Sequence, residues 1–425
     1  MPDVQMLVLT RCFPYPPGEQ FVASEARHWA AADRQVTVMP WAASGEPQPV
    51  PGVRVDLTLA RTSGWDKAVA TVVASLHAMF WRDLRWLLRR QRLNRATVME
   101  ALQATRNALL VRDKLLTWTR RNGPVHVVYS YWFDVWTLGA LLAARRSAPG
   151  HGIGAVATRV HGYDLHEERH PAGYHGLKRQ LAHLLDALLP VSASGGRLAV
   201  ETFGVRPEVV RHAPLGAVVP PEPASPSPAG ELHLLSVASA LPVKRIDRLV
   251  DATRSLALAR PDLRITWTHL GGGPLLDDLR ARAENPPANL AITWAGQVTP
   301  EQVTEHFRQR PVDLFVNTSE SEGVPVSIME AMGSGVPALA PDVGAISEIV
   351  PTDGPGGALL PAQPSPDDVA AALAQWSQRC KEPAERSAAR MIVADQYDAD
   401  ANARQVMQLL SELGRRVVEA SGRNQ

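Results

Sequence analysis

Residues 317–350 read NTSESEGVPVSIMEAMGSGVPALAPDVGAISEIV, directly after an apolar DLFVN run at 313–317. The run predicts a buried strand. It passes into a polar loop, and the loop enters a helix near Pro325. Proline suits a first helical turn, where its missing N–H costs nothing. The backbone N–H groups of Gly323, Val324 and Val326 are then free to face an anion, and a helix N-terminus is a ready phosphate site. Gly323 lets the backbone approach a ligand closely. A second apolar run at 336–340 follows the helix. Strand, loop, helix, strand is the repeating unit of a parallel α/β sheet.

The same alternation extends outward along the chain. Earlier strands are expected at 5–10, 35–40, 125–129, 155–160 and 187–191. Later ones are expected at 232–237, 263–269, 313–317 and 336–340. Such continuous apolar runs are buried on both faces and separated by helices. Residues 218–230, VVPPEPASPSPAG, support neither a helix nor a central strand. They read as a linker between an N-terminal domain (1–217) and a C-terminal domain (231–394). A helical tail (395–425) is expected to pack back on the first. The fold class is α/β, two Rossmann-like doubly wound domains facing a cleft, because open α/β sheets bind ligands at the carboxyl ends of their strands.

Composition agrees with a globular chain. Hydrophobic residues make up 45% and charged residues 20%, and the formal net charge of +1 gives no argument for nucleic acid. Cys12 and Cys380 make neither a disulfide framework nor a metal cluster, so a reducing cytoplasm is expected. The start of the chain lacks a basic n-region. No run reaches the ~18 to 20 apolar residues of a membrane span; residues 68–81 come nearest and contain His77. Residues 81–121 are strongly basic and include Trp81 and Trp86. Two readings stand: a helix lying on an anionic membrane at the inner face of the plasma membrane, or a solvated helix with core-packed tryptophans.

Glu322 precedes the helix of the opening stretch, and Glu330 lies about two turns inside it. Glu322 can reach a sugar hydroxyl beside the phosphates, and Glu330 can accept hydrogen bonds from ribose hydroxyls. Spacing alone equally allows a helix cap followed by a solvated glutamate. The Glu-x7-Glu frame, Glu322-Gly323 and Glu330-Ala331, with Gly335-Val336-Pro337 and Val343-Gly344 through Glu348, resembles the donor signature of family 4 retaining glycosyltransferases. That resemblance implies a GT-B fold, transfer from a nucleotide-diphospho-sugar with retention, and no catalytic metal or other cofactor. Lys244, in LLSVASALPVKRIDRLV at 234–250, resembles the family's diphosphate-binding lysine. The PVKRID form resembles members tied to bacterial polysaccharide assembly. One departure stands out: Ala238-Ser239 occupies the place of a usual Gly-Arg. Arg245 is the candidate replacement for that missing cation. Gly272, in the glycine turn 271–273, and Val298, after another short strand, are expected at the donor, the latter near the base.

By the same resemblance the N-terminal half supplies the acceptor side. The loop FPYPPGEQF at 13–21 overhangs the diphosphate, with Gly18 allowing close approach. His161, in RVHGYD at 159–164, resembles the histidine that contacts the transferring sugar. Glu19, Asp164 and Arg169 are weaker acceptor-side candidates. Tyr129–Trp132 either stacks on sugars or packs the core.

The expected reaction has Lys244 and the helix N-terminus stabilising the departing diphosphate, Glu322 and His161 holding the sugar, and Glu330 the ribose. UDP or GDP sugars are the expected donors, and glycan, lipid-linked or small-molecule hydroxyls the acceptors. Competing readings are a non-catalytic GT-B binding protein, a dinucleotide oxidoreductase and a phosphorylase. The glycine spacing disfavours the second.

Overall fold

The computed structural model describes residues 4–16, 19–148 and 151–422. The chain divides into two compact units, Met1–Pro214 with Asp400–Gln425, and Leu215–Ala399.

In the first unit the elements run β1 (Val4–Thr10), α1 (Gln20–Ala26), β2 (Arg34–Pro40), β3 (Val53–Val55), α2 (Gly64–Leu76), α3 (Ala78–Arg89) and α4 (Arg95–Asn122). They continue with β4 (Val125–Ser130), α5 (Val135–Ala144), β5 (Ile153–Val160), α6 (Gly162–Leu165), α7 (Lys178–Leu181), β6 (Ala187–Pro190) and α8 (Ala193–Phe203). The second unit begins with β7 (Glu231–Val237), α9 (Ile246–Ala259), β8 (Arg264–Leu270), α10 (Leu276–Arg282), β9 (Leu290–Gly296) and α11 (Pro300–Gln309). It proceeds through β10 (Leu314–Val316), α12 (Val326–Gly333), β11 (Ala338–Pro341), β12 (Asp353–Gly354), β13 (Gly357–Leu360), α13 (Pro366–Arg379) and α14 (Pro383–Gln396). The last helix, α15 (Ala399–Gly422), falls almost wholly in the first unit.

The first sheet has the order β3-β2-β1-β4-β5-β6, with every ladder parallel. Alternate residues of β1 serve opposite faces. Leu7 and Leu9 join Val128, Val156 and the helices α4, α5 and α8. Met6 and Val8 join Val127, Trp29 and Val406, Met407 and Leu410 of α15. Burial on both faces is why these strands read as unbroken apolar runs. The second sheet has the order β12-β13-β11-β10-β7-β8-β9, parallel except for the β12–β13 edge.

Two features depart from the sequence reading. The strand expected at 313–317 is only Leu314–Val316, although the N–H groups of Asp313 and Asn317 still donate to the His233 and Leu339 carbonyls at 2.9 Å. The Asp313 carboxylate accepts from the backbone N–H groups of Ser227 at 2.8 Å and His233 at 2.7 Å. Residues 218–230 are also no loose tether. Arg386 donates to the carbonyls of Ala224 and Val312, and Ala224 N–H donates to the Ser334 carbonyl at 2.8 Å. Proline removes donors from this segment, so its carbonyls are satisfied by arginines from α14 rather than by a ladder.

Candidate active site

In the second sheet, β7, β8 and β9 build outward in one direction, while β10, β11 and β13 build in the other. The order reverses between β7 and β10. Ligands in open α/β sheets bind at the carboxyl ends of the strands beside such a switch point. Lys244 lies in the loop after β7 and Glu322 in the loop after β10.

The two loops are tied together. Thr318 Oγ1 donates to the carbonyls of Lys244 at 3.2 Å and Arg245 at 2.9 Å, and Glu320 N–H donates to the Val243 carbonyl at 2.8 Å. Pro242–Lys244 forms a tight 3-10 turn, and Arg245 follows in the left-handed region with φ of 46°. A non-glycine residue is strained there, so the hydrogen bonds to its carbonyl and the pairs to its side chain over-determine the turn. The turn aims Lys244 Nζ at Glu322 Oε1, 2.7 Å away. Asn317 Nδ2 donates to the same oxygen at 3.1 Å, while Asn317 Oδ1 accepts from Ser319 N–H at 2.8 Å. The Glu322 side chain is only 9% exposed. Lysine and carboxylate are therefore held in place by the fold before any ligand arrives.

Gly344 completes the loop. Its φ is 61°, and a Cβ there would lie 2.2 Å from the Glu322 carbonyl oxygen. Ala345 N–H donates to the Gly323 carbonyl at 3.1 Å. Pro325 is the N-cap of α12 rather than its first residue. Among the described residues, the N–H groups of Gly323, Val324 and Val326 have no acceptor in the chain. One turn further in, the Glu330 carboxylate has no hydrogen-bond or ion-pair partner among the described residues. Burial alone pushes its pKa up to about 7. A desolvated carboxylate left unpaired is costly unless a ligand supplies donors.

Other named residues are placed less centrally. Arg245 donates to Asp247 at 3.0 and 2.9 Å and to Glu320 at 2.5 Å. It is committed to those carboxylates rather than to the Lys244–Glu322 pair, and Ser239 is exposed. Gly272 accepts through its carbonyl from Ala240 N–H at 2.8 Å, tying the glycine turn to the Lys244 loop. Val298 and Val324 pack against the apolar cluster of α12 and β11. Asn317, Thr318 and Glu320 escaped the sequence reading. Their position at the end of the 313–317 run was the available signal.

The first sheet reverses between β1 and β4. Glu19 follows β1, and its carboxylate accepts from the N–H groups of Cys12 at 2.8 Å and Phe13 at 2.7 Å, and from the Trp132 indole. Glu19 thus closes its own loop, and its oxygens are occupied. Gly18 lies outside the described residues. His161 follows β5 and is buried, with its ring 4.4 Å from Trp132 and 5.4 Å from Tyr131 between centroids. Its Nε2 has no hydrogen-bond partner among the described residues. Burial, then the Arg159 charge, pushes its pKa down to about 3, so the ring is neutral. Asp164 is buried beside it and accepts from His161 N–H at 2.9 Å. Burial raises Asp164 to about 7 against the opposing charge of buried Lys178. It shapes the loop rather than facing solvent. Arg169 is exposed on the turn after α6.

The basic stretch 81–121 is divided between roles. Trp86 stacks on Tyr174 with Arg179 over its ring, and Arg92 pairs with Glu167 at 2.9 Å. Lys114 is spent on the carbonyls of Thr58 and Arg61. Trp81, Arg82, Arg85 and Arg89 are exposed. A recess of about 750 Å³ between α2 and α4 holds none of the residues named for the donor.

The family model for "Glycosyl transferases group 1" matches residues 221–391, the span that carries Lys244, Glu322 and Glu330. The colanic acid biosynthesis glycosyltransferase named WcaL of Salmonella typhimurium is 26% identical over 330 residues, 76% of this chain and 80% of that protein. The family match and this relative support placing the chain among the group 1 glycosyltransferases. The lipopolysaccharide core mannosyltransferase LpsB of Rhizobium meliloti is 34% identical over 110 residues, 25% of the transferase and 30% of LpsB. The apo lipopolysaccharide outer core galactosyltransferase WaaB superposes with a TM-score of 0.65 at 13% identity, covering 98% of the transferase and 99% of WaaB. Anabaena HepE, solved with UDP and glucose, gives 0.60 at 16% identity over 96% and 100% of the two chains. These structures establish the GT-B fold of the transferase.

Proposed function

We propose that the transferase moves a sugar from a nucleotide-diphospho-sugar, carried on UDP or GDP, to an acceptor hydroxyl with retention of anomeric configuration. The acceptor is a glycan, a lipid-linked sugar or a small molecule, in cell-surface or exopolysaccharide assembly at the inner face of the plasma membrane. The observation that carries this reading is the Lys244–Glu322 pair at the β7/β10 switch point, 2.7 Å apart, with the unpaired Glu330 behind it. The names of WcaL and LpsB support the pathway class, and the UDP bound to HepE supports the donor class.

The proposed roles follow from charge. Lys244 and the open N–H groups before α12 meet the diphosphate, where negative charge grows as the glycosidic bond breaks. Glu322 holds a sugar hydroxyl. Glu330, ionised, accepts from the ribose hydroxyls. Neutral His161 offers Nε2 to the sugar as a hydrogen-bond partner, since a ring titrating near 3 is no proton donor at neutral pH. With no enzymic nucleophile assigned, the acceptor attacks the face the diphosphate leaves, and the leaving phosphate takes the proton. The test is incubation with UDP- and GDP-sugars and a lipid-linked saccharide, with the product anomer read by NMR. An α-linked product from an α-linked donor is expected. A β-linked product overturns retention, and bound donor without transfer or hydrolysis favours the non-catalytic alternative.

A further inference from the structure

Helix α2 is amphipathic with its apolar stripe turned outward. Its buried residues are only Ala70 and Ala74. Trp65, Val69, Val72 and Leu76 are spaced to share the opposite face. They are 77%, 46%, 62% and 78% exposed. Helix α3 adds Trp81 and Leu88, also well exposed, and Trp81 Nε1 donates back to the Ser75 carbonyl at 2.9 Å, tying the two helices. An apolar surface of this extent on a soluble unit marks a place where something else sits.

The charge around it is predominantly positive, with Asp66 at the start of α2 the exposed exception. Residues 61–93 hold seven Lys and Arg against two Asp. One of those, Asp83, is buried and accepts from Leu177 N–H at 2.9 Å and Gln180 Nε2 at 2.6 Å. The stripe ends at Leu76, one residue before a recess of about 380 Å³ lined by His77, Arg82, Arg112, Arg145, Arg146 and His183. No carboxylate lines it. Arg112 is held by Asp113 at 2.7 and 2.9 Å, but Arg82, Arg145 and Arg146 have no ion-pair partner among the described residues. His77 Nδ1 accepts from Met79 N–H at 3.3 Å, which leaves Nε2–H as a further donor into this corner. Unpaired arginines gathered around one hollow repel each other until an anion arrives. Guanidinium forks suit phosphate oxygens.

An apolar stripe beside a phosphate-shaped cluster of cations fits one occupant, the anionic surface of a bilayer. We propose that the outer face of α2 and α3 seats the transferase on an anionic membrane, with Arg82, Arg145 and Arg146 holding a lipid phosphate and Trp65, Val72 and Leu76 entering the acyl boundary. This rests on the membrane-apposed reading above and moves the contact from residues 81–121 to residues 65–89 with the 145–146 corner.

The test is co-sedimentation of the full chain with phosphatidylcholine vesicles, with and without equimolar phosphatidylglycerol. The chain is expected to bind the mixed vesicles and not the neutral ones. Trp65→Gln with Leu76→Gln, both at exposed positions, is expected to weaken partitioning roughly tenfold or more. Arg145→Gln with Arg146→Gln is expected to weaken it by a similar factor. Millimolar inorganic phosphate is expected to leave vesicle binding intact, because it offers no apolar phase. Equal binding to neutral vesicles, or unchanged binding by either double variant, overturns the proposal. Release by inorganic phosphate also overturns it in favour of a soluble phosphate ligand. Thermal shift with nucleotide sugars is read on the same variants. A retained donor shift with lost sedimentation isolates the membrane face, whereas sedimentation without any donor response leaves this proposal standing and removes the donor reading.

Discussion

The two sheets place different chemistry at the same topological position. At the β7/β10 reversal the second unit sets a charged pair, Lys244 and Glu322, open N–H groups before α12 and an unpaired carboxylate at Glu330. At the β1/β4 reversal the first unit sets a loop closed on Glu19 and, one strand along, a buried neutral imidazole. One end gathers charge and open donors, and the other is closed and neutral. The fold supplies the position in both cases, and the local residues decide which chemistry occupies it.

The largest expected effect comes from Lys244. Lys244→Ala should lower kcat by roughly 10² to 10³ with a smaller change in donor affinity, as for loss of a group that meets transition-state charge. Single-turnover kinetics at saturating donor separates the two. If the loss lies wholly in donor affinity, Lys244 is a binding cation only.

Glu330 sharpens the comparison through pH. Its folded pKa, about 7, lies above the ordinary carboxyl value. The free protein therefore binds more protons folded than unfolded between those values. Stability from this group is present at low pH and is lost as pH rises toward 7, by roughly 3 kcal/mol at most. Donor binding runs the other way, because the ribose hydroxyls need the ionised form. Donor affinity should rise with pH up to about 7 and level off above it. Glu330→Gln should remove both dependences, as read by calorimetry and denaturant melts from pH 5 to 8.

The first unit should respond otherwise. His161→Ala should lower kcat by about tenfold, the loss of a neutral hydrogen bond, with no change in the pH profile between 6 and 8. A profile that loses a limb would mean that His161 titrates in the working range. Glu19→Gln should cost about 1–2 kcal/mol of stability in chemical denaturation, since the N–H groups of Cys12, Phe13 and the Trp132 indole lose a charged acceptor. Its nucleotide-sugar affinity should be unchanged.

Much of this was written in the sequence, for identifiable reasons. Strands β1, β4, β5 and β7 carry buried residues on both faces and stand out as apolar runs. Strand β3 is three residues at an edge, with Arg54 and Val55 exposed, and leaves no such trace. Glu322, Glu330 and Lys244 were visible through their resemblance to a family donor signature, in which a helix start, a glycine and a strand end frame them. The commitment of Arg245 to Asp247 and Glu320 was not, since ion pairing among neighbouring charges has no periodic signature. The apolar run at 68–81 read as one interrupted segment. It is two helices broken at His77, and only the fold reveals that the first turns its valines outward.

The most direct measurement is thermal stabilisation by UDP-, GDP-, ADP- and TDP-sugars on the wild-type chain and on Glu330→Ala. At least one donor is expected to stabilise the wild type by roughly 2.7 kcal/mol at a hundredfold excess over its Kd, and the gain is expected to shrink in the variant. No response to any nucleotide sugar, or an equal response in the variant, contradicts a donor site built on Glu330 in the second unit.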